Sequence, residues 1–166
     1  MEAAVKAHST HTLATQFDLQ TRLFNNVLDG ITDAEADERI RDTVNHIKWL
    51  AGHLTSTRFS MGKLGGLEAQ DPWTELFSHG HGLREDADYP SIDAIKAQWN
   101  AISGPISAGL ANLPEQALSA PAPAKMPVND DTLGGMLAFL MHHEAYHIGQ
   151  IGLLRRCLGK EAMKYG

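Results

Sequence analysis

Two histidines lie four residues apart near the C-terminal end of the chain, in the segment MHHEAYHIGQIGLLRR. If this segment is helical, His143 and His147 are about one turn apart, and two imidazoles at that spacing can bind one metal ion. Four further residues fall on the same helix face, and most of them are apolar: Met136, Leu140, Gln150 and Leu154. The segment therefore predicts a helix whose two histidines lie along its core-facing stripe.

A third histidine comes from the earlier segment NHIKWLAGHL. His46 and His53 are seven residues apart, so they lie on nearly the same side of a helix, beside its apolar stripe. His53 is therefore a third imidazole that is able to face the interior. One buried histidine is usually a hydrogen-bonded core residue, but each additional one needs further partners for its ring nitrogens. The pattern favours a metal site, and a buried polar cluster or a water-filled cleft is the alternative.

The letters HEAYH match H-E-x-x-H, the helix motif of zinc proteases, but the rest of the chain argues against that activity. The extended protease motif needs a glycine and a histidine three and six residues after the second histidine. This chain has Gln150 and Leu153 at those positions, and the next acidic residue, Glu161, lies close to the end. No strand pattern is present that could hold an extended peptide substrate. We therefore interpret the match as coincidental.

Length, charge and cysteine content narrow the class of protein. The 166 residues fit a single domain, which we take as residues 1–166. The formal net charge is −6 without a basic stripe, which argues against nucleic acid as a partner. No apolar run approaches the roughly 20 residues that span a bilayer, and the N-terminal segment lacks the apolar core of a signal peptide. With Cys157 as the single cysteine, these features favour a cytoplasmic protein that binds no membrane.

The first half of the chain contains two segments with helical periodicity. The first runs from about Ser9 to Leu28. Thr32 and Glu35 then form a capping-box pattern, which predicts a short helical turn. The second long helix is expected to start near Asp42–Thr43, where either residue can cap it, and to fray around residues 62–66.

The second half contains two more helical segments and almost no strand alternation. The third helix opens at Ser91 and runs to Pro114, with an interruption and a kink expected at Gly104–Pro105. A stiff proline-rich connector, SAPAPAKMPVND, follows. The fourth helix is capped by Asp131 or Thr132 and runs to about Leu158. Four amphipathic helices with two long connections predict an all-α protein with a four-helix bundle.

The long polar stretch from Gly65 to Ser91 is a candidate functional loop, because loops of this length in compact domains often carry function. A helical turn is expected around Trp73 to Phe77, and Trp73 is a candidate substrate-binding residue. His79 and His81 could cover a metal cleft, and a solvated loop is the simpler alternative.

Two segments of this chain, WLAGHL and HHEAYHIGQIGLLRRCLG, together resemble the DinB-like superfamily of small metal-binding four-helix bundles. The family pattern is a histidine near the middle of the second helix and H-x-x-x-H-x-G-Q near the C-terminus. The resemblance implies His53, His143 and His147 as metal ligands. It also implies up-down-down-up connectivity and a homodimer.

The resemblance also implies a range of activities, because some members transfer low-molecular-weight thiols to electrophiles or use such a thiol in isomerisation. We expect a metal-dependent enzyme in which a divalent ion activates a water or a low-molecular-weight thiol for hydrolysis or S-transfer. Zn is the default ion, and imidazole ligands also suit Ni, Fe, Co or Mn. Glu144 as a base and Gln150 as an orienting group are the catalytic candidates, and Tyr146 is a second substrate-binding candidate beside Trp73.

Two other interpretations stay open. One is a non-catalytic metal-binding or stress-response protein with a structural or sensory metal, which a fourth ligand from His46, His79 or His81 would favour. The other is a scaffold bundle that binds no metal. A purely structural role is also open for each of the three candidates on the fourth helix. Such a role would be a hydrogen bond, an interhelical contact or simple packing, and the candidates are Glu144, Gln150 and Tyr146.

Overall fold

The computed structural model describes residues 8–77, 80 and 82–166. His79 and His81, considered above as residues that could cover the cleft, lie outside the described residues. Within that part of the chain the secondary structure is helical, and the one extended pairing is an isolated bridge between Pro121 and Thr132. The all-α prediction is therefore confirmed.

Four long helices form the body of the protein, and three short elements lie in the connections. The elements are α1 (His8–Leu28), α2 (Asp33–Asp37), α3 (Ile47–Leu64), α4 (Thr74–Phe77), α5 (Ile92–Ala111), a 3₁₀ turn (Glu115–Ser119) and α6 (Leu133–Cys157). None of the helices in the described ranges is long and apolar enough to cross a membrane.

The four long helices pack as a bundle with up-down-down-up connectivity. α1 and α3 each pack against both α5 and α6, so α1 lies diagonally across the bundle from α3. α1 is antiparallel to α5 and parallel to α6, whereas α3 is parallel to α5. Between α1 and α5 the contacts Asp18–Ser107 and Asn25–Asn100 run in opposite directions along the two helices. Between α1 and α6 the contacts Gln20–Met141 and Val27–Arg155 run in the same direction. Between α3 and α5 the contacts Arg58–Ser103 and Gly62–Ile106 also run in the same direction. The predicted connectivity is therefore confirmed.

Most of the local signals in the sequence have the predicted effect. The capping box at Thr32 is present with both of its reciprocal hydrogen bonds. Ser91 caps α5 by accepting a hydrogen bond from the Ala94 N–H, and Thr132 caps α6 in the same way. The predicted interruption of the third helix is wrong, because α5 continues through Pro105 as a single helix.

The predicted start of the second long helix is also wrong. α3 begins at Ile47 rather than near Asp42–Thr43, and its N-cap is His46, whose Nδ1 accepts the Trp49 N–H at 2.9 Å. Asp42 lies in an exposed turn, where its carbonyl accepts a hydrogen bond from Arg39. Nδ1 of a neutral imidazole is an acceptor, so it satisfies one of the orphan N–H groups of the first turn.

The core consists of two apolar halves with a polar layer between them. One half includes Phe24, Leu54, Ile95 and Ile151, and the other includes Phe59, Ile102, Met136 and Leu140. The layer between them holds an ion pair of Arg58 with Glu144. This layer matters for function because the three histidines of interest lie on α3 and α6 beside it.

Candidate metal centre

The three histidines that the family resemblance implied as ligands come together between α3 and α6. His143 is the central one, with its Nε2 atom 3.2 Å from Nε2 of His53 and 3.1 Å from Nε2 of His147. One ring nitrogen from each residue can be chosen so that all three lie within 4.8 Å of one another. Helical spacing sets the pair on α6, while the packing of α3 against α6 supplies the third ring.

These nitrogens fit a metal ion better than they fit one another. A neutral imidazole carries a single N–H, so Nε2 of His143 can donate to only one of its two neighbours. Two imidazole nitrogens that bind one zinc ion tetrahedrally at about 2.0–2.1 Å lie about 3.3 Å apart. The observed separations of 3.1 and 3.2 Å are close to that value, so the three side chains could hold a divalent ion.

The electrostatics of the site keep the rings available as ligands. Burial, followed by the neighbouring histidines, lowers the pKa of His143 to about 4. Burial also lowers the pKa of His147, and a hydrogen bond with Gln150 opposes that shift. Both rings are therefore neutral near pH 7, which leaves a lone pair on each for a metal.

Gln150 fixes the tautomer of His147. Its Oε1 lies 2.6 Å from Nδ1 of His147, and an amide oxygen can only accept, so Nδ1 carries the proton and Nε2 keeps its lone pair. The other end of the amide donates to the Tyr146 hydroxyl at 3.3 Å. His53 is oriented differently, with its ring stacked on the indole of Trp49 at a centroid distance of 4.9 Å.

Glu144, the predicted base, is held by an arginine. Arg58 Nε donates to Oε1 at 2.7 Å and Nη2 donates to Oε2 at 2.8 Å, so both carboxylate oxygens accept from one guanidinium. Glu144 is 1 % exposed and Arg58 is 0 % exposed. Burial lowers the pKa of Arg58, and its hydrogen bonds to Glu144 oppose that shift.

The guanidinium of Arg58 is enclosed on all sides. Its carbon lies 3.9 Å from the ring centroid of Phe17 and 3.4 Å from that of Trp99, so both flat faces are covered. Nη1 donates to the hydroxyls of Thr21 and Ser103, at 2.6 and 2.5 Å. This network joins all four long helices, and sequence reasoning missed it. The available signal was a lone arginine in the apolar part of α3.

The remaining predicted residues lie around the cluster. Trp73 is half-buried and its ring contacts Phe77 edge-on at 6.4 Å. Tyr146 is 56 % exposed and accepts the hydrogen bond from Gln150. The substrate-binding roles of both residues stay predictions. His46 serves as the N-cap of α3 and is not part of the histidine cluster.

A cleft of about 880 Å³ opens beside the cluster, and His53 and His143 form part of its wall. Side chains of α3 and α6 supply two walls, and residues of the proline-rich connector supply a third, with Lys125 among them. The size is within the range of about 300–1,000 Å³ that is typical of small-molecule sites. Sequence analysis did not predict this cleft, because the connector is brought to α3 only by the folded bundle.

The fold and the site together define a class: a small up-down-down-up bundle in which histidines from the second and fourth long helices meet and could hold a metal ion. The family model of the DinB superfamily matches residues 16–151 of this chain. The chain belongs to the DinB superfamily, and the resemblance seen in the sequence is confirmed. No curated protein matches the chain significantly.

Proposed function

We propose that this protein is a metal-dependent enzyme that acts on a small molecule, with the divalent ion on His53, His143 and His147. The observation that supports this most strongly is that His53 and His143 line the cleft of about 880 Å³, so a bound ion would face a space of ligand size. Three protein ligands with an open position are typical of catalytic metal sites, whereas structural sites usually have four.

A divalent ion on neutral imidazoles lowers the pKa of a water or thiol that it binds, which suits hydrolysis or the transfer of a low-molecular-weight thiol. Zinc is the first candidate, and imidazole also suits Ni, Fe, Co and Mn. Gln150 would act by holding His147 in the metal-binding tautomer. We assign Glu144 a positioning role rather than that of a base, because both of its oxygens accept from Arg58.

The alternative is a non-catalytic metal-binding or stress-response protein whose metal is structural or sensory. A fourth protein ligand would favour it, since it would close the coordination shell. Nδ1 of His46, one of the candidate fourth ligands, is engaged as a helix cap, so this nitrogen is not available to close the shell.

Elemental analysis of protein purified without a histidine tag is the first test. We expect one divalent ion per chain in the wild type and in His142→Ala, and none in His53→Ala or His143→Ala. His142 is the matched control, because it is exposed and adjacent to a ligand. No bound metal in the wild type, even after incubation with zinc, nickel or iron, would refute the metal site.

Activity screens with the metal-loaded protein then separate the two interpretations. Activated esters test hydrolysis, and a panel of low-molecular-weight thiols with an electrophilic dye tests S-transfer. Turnover that is lost in His143→Ala and kept in His142→Ala would support the enzyme. A loaded protein that turns over neither class would favour the structural or sensory metal.

We also propose that the chain forms a homodimer through α6, in line with the expectation from the superfamily. Tyr146 and Leu153 lie seven residues apart on this helix, so they share one side of it, and they are 56 % and 66 % exposed. Leu153→Asp should convert the dimer to a monomer in size-exclusion chromatography with light scattering. A wild type that is monomeric at high concentration would contradict the proposal.

A further inference from the structure

We propose that the cleft beside the histidines binds a small organic acid, an apolar body that carries one anionic group, with the anion at Lys125. As a statement about the substrate, this inference rests on the proposed function. The ligand class itself follows from the walls of the cleft and does not depend on a metal.

The walls are mostly apolar and adaptable. The apolar residues that line the cleft include Met61 and Leu64 of α3, Phe139 of α6 and Met126 of the connector. Methionine side chains are flexible and polarisable, so they accommodate aromatic and branched aliphatic groups alike. A strongly polar ligand such as a sugar would leave its hydroxyl groups unpaired against these walls.

Two of the three hydroxyl groups that line the cleft are poor donors for a ligand, and the third, on the exposed Ser60, carries no charge. The hydroxyl of Thr57 donates to the carbonyl of His53 at 2.9 Å, and the hydroxyl of Ser56 donates to the Asp71 carboxylate. These two groups have committed their protons and can only accept. They therefore do not select for an anion, and a charge on the ligand needs another partner.

Among the described residues of the cleft wall, Lys125 is the lysine or arginine. It makes no salt bridge within the described part of the chain. The connector that carries it is closed by backbone hydrogen bonds from Ala122 N to Asp131 O at 2.9 Å and from Leu133 N to Ala120 O at 2.8 Å. The charge is therefore presented from an anchored loop. On a protein with a net charge of −6, it gives the cleft a local preference for anions.

A matched pair of fluorescent probes tests the inference on the metal-free protein. 8-Anilinonaphthalene-1-sulfonate carries a sulfonate, and N-phenyl-1-naphthylamine has the same aromatic body without it. The wild type should bind both and prefer the anion. Lys125→Met should weaken binding of the sulfonate about fivefold, the upper end for an exposed charge pair, and leave the neutral probe within about twofold.

Two further variants locate the binding. Lys63→Met removes an exposed cation of α3 that lies outside the cleft wall and should change neither probe. Ser60→Trp places a large ring into the cleft from an exposed position and should weaken both probes. Equal binding of the sulfonate by the wild type and Lys125→Met, or full binding of both probes by Ser60→Trp, would overturn the inference.

The outcome is independent of the metal, because the titrations use protein without it. Selective binding of the anionic probe together with an absence of metal would refute the proposed enzyme and leave the ligand class supported. Bound metal together with sulfonate binding that does not depend on Lys125 would support the metal site and overturn the ligand class.

Discussion

Replacing Glu144 with glutamine removes the negative charge from the buried centre of the bundle and keeps the shape of the side chain. Arg58 is 0 % exposed and would keep its positive charge, because a guanidinium does not lose its proton under ordinary conditions. Breaking a buried ion pair by removing one partner costs about 3–5 kcal/mol. The hydroxyls of Thr21 and Ser103 and the rings of Phe17 and Trp99 still surround the guanidinium, so we expect the lower end, about 3 kcal/mol.

Urea unfolding of the metal-free protein at pH 7.5, followed by circular dichroism, measures this loss. The loss should depend little on salt, because buried charges are screened much less than exposed ones. The double variant Arg58→Met with Glu144→Leu serves as the control, since replacing both charges with apolar groups of similar volume is often neutral. It should be more stable than Glu144→Gln. A loss below about 1 kcal/mol in Glu144→Gln would contradict this prediction. A double variant that is less stable than Glu144→Gln would contradict it as well.

The same variant tests the positioning role of the ion pair. Glu144 is adjacent to His143 on α6, and Arg58 lies five residues after His53 on α3, so their two hydrogen bonds help to set the distance between the two helices that carry the histidines. Metal affinity should fall in Glu144→Gln although all three histidines remain. Glu144→Asp keeps the charge and should recover part of the affinity. An unchanged affinity in a destabilised Glu144→Gln would mean that the pair stabilises the bundle without positioning the site.

Three more variants test other parts of the structure. Burial lowers the pKa of His46, so below about pH 6.5 the unfolded chain takes up a proton that the folded chain does not, and stability falls as the pH falls. His46→Ser keeps a helix cap without the titrating ring, so the wild type should lose more stability than this variant between pH 7.5 and 5.5. Equal losses in the two proteins would contradict the lowered pKa. Gln150→Leu removes the acceptor that orients His147, so metal binding, measured in competition with a chelator, should weaken about 10- to 100-fold. An unchanged affinity would show that the amide is dispensable. A Cβ atom at Gly52 would lie 2.1 Å from the ring of Phe77, so Gly52→Ala should destabilise the protein by about 1–3 kcal/mol in thermal unfolding. A neutral effect would mean that the ring moves freely.

The sequence was sufficient for features that depend on neighbours in the chain. Helical periodicity and caps at Thr32, Ser91 and Thr132 act within one or two turns, and these elements lie close to where they were expected. The spacing of His143 and His147 likewise guarantees that both rings share one side of α6. It was not sufficient at the start of α3, where the residue that caps the helix is an imidazole rather than the carboxylate or hydroxyl that propensity favours.

The tertiary structure decided which residues of different helices meet. Arg58 and Glu144 are separated by 86 positions and His53 and His143 by 90, and no local periodicity encodes which residues meet over such distances. The cleft also depends on where the connector with Lys125 crosses α3. The sequence by itself predicted most of the helices, and with the family resemblance it predicted the three histidines that come together. The packing of α3 against α6 decided that both oxygens of Glu144 accept from an arginine, because a buried carboxylate must be compensated by the nearest buried cation.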